Sequence, residues 1–343
     1  EPGTNSLKCS QCGTVNQIGA GPVKVEETDF NKFLGDHVIS GHDKLEIITV
    51  KCSSCGAESS LKPNLTSDNC PFCDSPLVIK GGTTNSVLKP KYLLPFAVTQ
   101  KDAYADFGKW LKGLWFAPNN LKNYADKAEK LNGIYIPYWT YDSDTSSSYT
   151  GLRGDNYTVE EQYTTTENGQ DVTRTQTVTK IRWSPVSGSL AQRFDDVLVL
   201  ASKSLPEAYA YALNPWDLTH LDGFKEDYLA GFRTEIYQVD VKEGFGKAKS
   251  LMDVEIRKLV CRDIGGDEQK IETLESNFND ITFKHILLPI WLSAYRYNNK
   301  VYHFMINGRT GQVRGERPYS WVKIGFAIAA GIALIAIIIA LCQ

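Results

Sequence analysis

Gly133-Ile-Tyr-Ile-Pro137-Tyr-Trp139-Thr-Tyr141 and its echo His285-Ile-Leu-Leu-Pro289-Ile-Trp291-Leu-Ser-Ala-Tyr295 decide how this chain is read. Both runs have the length and the aromatic and β-branched content of a strand. Their shared core is an apolar residue, Pro, an apolar or aromatic residue, then Trp: Ile136-Pro137-Tyr138-Trp139 against Leu288-Pro289-Ile290-Trp291. Proline cannot donate to a ladder, so each strand is expected at an edge, at its own start or at a bulge. Packing is the expected role of the Pro–Trp unit.

Each run closes one copy of an internal strand–helix–strand repeat. The first copy opens with a strand at 93–98. Thr99 then caps a helix, with Asp102 three residues later as an Asp version of the capping box. Ala103, Phe107, Trp110, Leu111 and Leu114 recur at helical spacing. A second helical stretch is expected over 120–131. The second copy opens with a strand at 235–241 and continues as a helix over 243–260. Between the copies, Thr-rich runs at 157–166 and 172–183 flank Glu167-Asn168-Gly169-Gln170-Asp171, a long hairpin. Its faces are polar in places, which fits either a solvated hairpin or an arm packing on a partner or second protomer. A second Asn-Gly hairpin joins 301–306 to 311–314.

Six of the eight cysteines form three Cys-x-x-Cys pairs. Cys52/Cys55 and Cys70/Cys73 are fourteen residues apart, a spacing that brings four thiolates to one tetrahedral Zn2+. Gly56 suits the tight turn after Cys55. Cys9/Cys12 has no second Cys pair before Cys52. His37 and His42 lie between and offer a Cys2His2 set for a second zinc; the alternative is loss of a former site. A closed ribbon leaves zinc no open position for catalysis.

Residues 324–342 are nineteen without a charge, long enough at about 1.5 Å per residue to cross a bilayer core of ~30 Å. Arg309, Arg314, Arg317 and Lys323 precede the span, and Tyr319 and Trp321 fall at headgroup level. Arg314, Arg317, Tyr319, Trp321 and Lys323 are the expected membrane-interface residues. The positive-inside rule keeps the N-terminal body in the cytoplasm, so the expected location is the inner membrane, crossed once. A single span suits a simple anchor or a homo-oligomer.

The expected fold is α+β. Residues 1–80 form the N-terminal zinc-ribbon region and 81–86 a linker. The β-rich body fills 87–311, with related halves at about 87–142 and 235–311 around the long hairpin. A juxtamembrane segment, 312–323, leads to one C-terminal transmembrane helix. A net charge of −3 and no basic run beyond short clusters argue against nucleic-acid binding. No phosphate-binding loop, dinucleotide fingerprint, nucleophile elbow or His-Glu-x-x-His motif occurs, so no enzymatic activity is expected.

An ordered set of motifs carries a resemblance. Cys52-Ser-Ser-Cys55-Gly56, Cys70-Pro-Phe-Cys73, Leu93-Leu-Pro-Phe96, Trp110-Leu-Lys-Gly113-Leu-Trp-Phe-Ala-Pro118, the two Pro–Trp runs, Asn307-Gly-Arg-Thr-Gly311 and Gly315-Glu-Arg-Pro-Tyr-Ser320 follow one another. Together they resemble the bacterial YdjG-like zinc-ribbon (TFIIB-type ribbon), tail-anchored membrane proteins. Relatives of that kind carry primosomal N′ or helicase-like labels, but this sequence has no helicase motifs. The resemblance implies a non-catalytic adaptor in membrane stress, with flotillin-like (SPFH) and phage-shock-protein-A-like (PspA-like) partners. The alternative is a membrane-tethered ribbon that binds nucleic acid in replication or transcription. The family's first ribbon has a second Cys pair, which is missing here after Cys9/Cys12.

Overall fold

The computed structural model describes residues 6–8, 12, 14–17, 25–35, 44–54, 56–60, 67–70, 72, 75–78, 83–119, 121, 131–167, 170–229, 232–297 and 300–341. Cys9, Cys55, Cys73, His37 and His42, and most of the helix expected at 120–131, lie outside them.

The N-terminal part is built of short hairpins. Strand β1 (Ser6–Lys8) pairs with β2 (Val15–Gln17). β3 (Thr28–Asp29) and helix α1 (Phe30–Gly35) follow. Then β4 (Lys44–Lys51) pairs with β5 (Glu58–Ser60), and β6 (Ser67–Asn69) with β7 (Pro76–Val78). Residues read as linker enter β8 (Thr83–Leu88), which pairs with β4. β3 and α1 join the body: Thr28 and Asp29 pair with Phe283 and Thr282, and Phe30 packs among Tyr141, Phe245 and Phe283.

The body opens with β9 (Tyr92–Leu93) and α2 (Gln100–Lys112). Two long strands follow, β10 (Asn132–Glu167) and β11 (Gln170–Leu200). After α3 (Glu207–Tyr211), β12 (Asp222–Gly223) and β13 (Arg233–Thr234) comes α4 (Val241–Ile264). β14 (Glu268–Tyr297), β15 (Lys300–Asn307) and β16 (Val313–Gly315) complete the sheet before α5 (Trp321–Leu341). The long strands run antiparallel in the order β11-β10-β14-β15-β16. The alternation of side chains gives the sheet two faces. On one, Ile134, Ile136, Tyr138, Ile286, Leu288 and Ile290 form a core shared with the Cys hairpins. On the other, α2 covers Tyr135, Leu287 and Trp291, while α4 covers Trp139, Tyr141 and Phe283.

The two Pro–Trp runs are the central antiparallel pair, Tyr135 opposite Pro289 and Pro137 opposite Leu287. Neither proline lies on an edge, at a strand start or at a bulge. Each instead sits where its strand changes neighbour. β13 pairs with Ile134 and Tyr135, whereas β11 begins opposite Tyr138. Likewise β9 pairs with Ile286 and Leu287, and β15 begins opposite Ile290. The missing N–H faces that gap, and each proline carbonyl is still used, by Ala201 N–H and Gly308 N–H respectively.

The halves are interlocked. The helix-entry strand of each half pairs in parallel with the long strand of the other. Trp139 Nε1 donates to the Val239 carbonyl at 2.9 Å, one residue before the N-cap Asp240. Trp291 Nε1 donates to the Val98 carbonyl at 2.9 Å, one residue before the N-cap Thr99. The repeat read from the sequence is thus a reciprocal exchange, each half completing the other.

Beyond Gly154 opposite Glu268, β14 ends and β10 and β11 continue alone to Glu167 opposite Gln170. This two-stranded arm is the long hairpin expected from the sequence, and its described side chains are mostly exposed.

Candidate metal centre, buried charges and membrane anchor

The three Cys-x-x-Cys pairs fall in sequence between the paired ends of three hairpins. Lys8 pairs with Val15, Lys51 with Glu58 and Asn69 with Pro76, so each pair occupies the same offset in its hairpin. In the second loop Cys52 N–H donates to Ala57 O at 2.8 Å and Gly56 N–H to Cys52 O at 2.9 Å. Gly56 has φ +75°, the left-handed conformation that favours glycine. In the third, Cys70 N–H donates to Ser75 O at 2.9 Å. Cys52 and Cys70 are each 2% exposed and belong to one apolar cluster with Ala57, Phe72 and Leu77. Cys12 is exposed, its Sγ 3.1 Å from Thr14 Oγ1.

A second group of polar residues was not anticipated. Lys284, 3% exposed by side chain, reaches Asp196 at 2.7 Å, Glu27 at 3.1 Å and Asp142 at 3.8 Å. Two irregularities in strand register bracket Asp142, with Asp196 at φ 53° and Asp280 at φ 47°. Asp196 N–H donates to Asp142 at 2.6 Å, and Thr282 Oγ1 donates to Glu27 at 2.6 Å. Burial pushes Asp142 up to about 6, helped by its hydrogen bond with Glu27. Burial would raise Glu27 too, but hydrogen bonds from Asp142, Thr282 and Lys284 hold it down at about 2. Oxygens of Glu27, Asp142 and Asp195 lie within 4.8 Å of one another, close enough for a cation. The Lys284 ammonium already supplies positive charge there, so the group reads as an internal ion-pair network. A lone lysine between Phe283 and His285, in a run of buried residues, was the sequence signal for it.

Glu235 is also buried, 1% exposed, and neither carboxyl oxygen has a hydrogen bond of good geometry. Burial raises it to about 7, against the opposing pull of the Ser204 and Ser202 hydroxyls. His285 is buried beside Trp139, and burial pushes it down to about 4, so it stays neutral.

The third region surrounds α5. This helix of 21 residues is long and apolar enough to cross a membrane, and none of its apolar window is buried by the body. It begins at Trp321, three residues before the expected span. Ser320 caps it, its Oγ accepting from Lys323 N–H at 3.4 Å. Of the expected interface residues, Arg317, Tyr319 and Trp321 are exposed, with the Arg317 guanidinium 5.3 Å from the Tyr319 ring. Arg314 and Lys323 are half-buried because they bind the body: Arg314 Nε donates to Ala212 O, and Lys323 Nζ to Trp115 O and Ala117 O.

These features define a β-rich protein with an interlocked repeat and one apolar C-terminal helix left uncovered. Among curated proteins, the chain is 27% identical over 248 residues to the uncharacterized protein YdjG of Bacillus subtilis. The match covers 72% of this chain and 68% of that protein. It supports the YdjG-like resemblance and brings no statement about zinc or membranes with it. No family model matches the chain, and no solved structure does.

Proposed function

We propose that this chain is a non-catalytic adaptor fixed to the inner membrane by α5, with its body in the cytoplasm. The observation that carries this reading is an apolar helix of membrane-spanning length with no cover from the body. An uncovered apolar surface of this size in water calls for a bilayer or a partner. In this reading Cys52, Cys55, Cys70 and Cys73 hold one structural Zn2+. In the same reading Cys9 and Cys12, with His37 and His42, offer a second site. The Cys hairpins and the arm present surfaces to cytosolic proteins, of the SPFH and PspA-like kinds that the resemblance implies. Confinement to one surface raises the local concentration of such partners without a high intrinsic affinity.

The test is crosslinking and affinity purification from intact membranes of the native cell, followed by mass spectrometry. Recovery of SPFH or PspA-like proteins, lost on Cys52→Ser or on deleting 324–342, is the expected result. Recovery of nucleic acid with replication or transcription proteins would overturn it. Elemental analysis of the purified chain reads the metal directly: one zinc per chain removes the Cys9/Cys12 site, and none removes both.

A further inference from the structure

The loop after α2 exposes two aromatic rings beside the start of α5. Gly113-Leu-Trp-Phe-Ala117 ends the helix, and its side chains divide by role. Leu114 and Ala117 are buried against the body, whereas Trp115 is 84% and Phe116 44% exposed. Two adjacent aromatic rings facing solvent at a loop tip are costly in water and favourable at a bilayer surface. The loop is tied to the first turn of α5. Ser320 N–H donates to Phe116 O at 2.7 Å, and Lys323 Nζ donates to Trp115 O at 3.2 Å and Ala117 O at 2.7 Å. Trp115 and Phe116 are therefore held at the level of Trp321, where the apolar helix begins.

Charge on the same side agrees. A cavity of about 440 Å³ opens between α2 and the segment leading into α5, lined by Trp110, Lys300, Tyr302, Arg314, Arg317 and Tyr319, with Glu316 as its acid. Three cations against one carboxylate, among aromatic rings, favour an anionic phosphate headgroup.

We infer that the 113–117 loop is a second membrane contact, with Trp115 and Phe116 set in the headgroup–acyl boundary of an anionic bilayer beside α5. This rests on the reading of α5 as a membrane span. It makes the body a docked structure with a fixed face toward the lipid, rather than one swinging on a tether.

The full chain is reconstituted into vesicles of phosphatidylcholine and phosphatidylglycerol brominated near the top of the acyl chains, and tryptophan quenching is measured. Trp115→Phe removes about half of the quenched fluorescence, because Trp115 and Trp321 share that depth. Trp321→Phe leaves the Trp115 part in place. Quenching unchanged by Trp115→Phe, in protein that still floats with the vesicles after an alkaline wash, overturns the loop contact and leaves the span intact. Protein that does not float overturns the span, and the loop contact with it.

Discussion

The two halves of the body share a frame and differ in what they hang on it. If N-cap Thr99 is matched to Asp240, and Trp139 to Trp291, the hydrogen bonds coincide. Ala97 and Val98 N–H donate to Gly308 O, as Gln238 and Val239 N–H donate to Ala201 O. Leu94 N–H donates to Leu287 O, as Glu235 N–H donates to Tyr135 O. The side chains at matched positions diverge. Leu94 corresponds to Glu235, Ala103 to Gly244, and Ser293 to Tyr141. Tyr141 donates to Val241 O at 2.6 Å, and a Cβ on Gly244 would meet its hydroxyl. Because the halves exchange, the large Tyr141 of the first half faces the small Gly244 of the second, and the matched combination is Ser293 of the second half with Ala103 of the first. The extensions diverge further. α2 stops after 13 residues and turns into the Trp115 loop beside α5, while α4 runs 24 residues along the three-stranded base of the arm. Backbone pairing and the reciprocal tryptophans set the frame, and surface-directed features occupy the parts the halves do not share.

The strongest way to break this comparison is at the tryptophans. Trp139→Ala and Trp291→Ala should each cost about 3–5 kcal/mol, measured by urea unfolding of the full chain in mild-detergent micelles. Similar losses at the two sites support the exchange; a loss at only one would mean that the halves are not equivalent in energy. Next comes Glu235→Leu, which copies the first half. Between the ordinary carboxylate value of 4.5 and about 7 the folded state binds more protons than the unfolded one, so stability falls as pH rises through that window. The full cost, roughly 3 kcal/mol, stands above pH 7. Glu235→Leu should remove the part of this slope that lies above about pH 6, beyond the range of Asp142, and stabilise the protein at pH 8. A slope that persists would assign it to another group.

Gly244→Ala should destabilise by about 1–3 kcal/mol through overpacking against Tyr141 and Trp139. Adding Tyr141→Ser, which copies the matched Ala103–Ser293 combination, should recover part of that loss, so the two changes couple rather than add. Strict additivity would dissolve the proposed correspondence. The smallest effect is expected on the arm, where Thr175→Ala should change stability by no more than about 0.5 kcal/mol. A larger change would mean that the arm contributes to the cooperative core.

Local chemistry was legible, and long-range closure was not. The Thr99 cap appears with its Asp102 partner, Asp102 N–H donating to Thr99 Oγ1 at 3.2 Å. The helix expected at 243–260 extends to both sides, because Asp240 caps it and Gly265 ends it at φ 65°. Asn307-Gly308 marked a true hairpin, but for another reason than a two-residue turn. The buried Asn307 accepts from Arg309 and Thr310 N–H, and Gly308 makes room for Phe96, while the positive φ falls on Gly311. The entry strands expected at 93–98 and 235–241 are found as two-residue strands at Tyr92–Leu93 and, ahead of the expected range, Arg233–Thr234, since the later residues bond to Gly308 and Ala201 instead of a full ladder. Nothing within a window of sequence announces that Trp139 meets Val239, or that Glu27 meets Lys284. Those contacts are set only when distant segments reach one sheet.

The exchange between halves also fixes an order of events during synthesis. Trp139 leaves the ribosome long before Val239, and the Val98 carbonyl waits for Trp291. No half can close its own core, and the sheet is complete only once β16 has emerged, just ahead of the apolar helix. A chain of such high contact order must hold its first half open through most of translation. The body therefore finishes folding just as its apolar C-terminal helix emerges, and on the proposed membrane reading a delay in either leaves the other exposed.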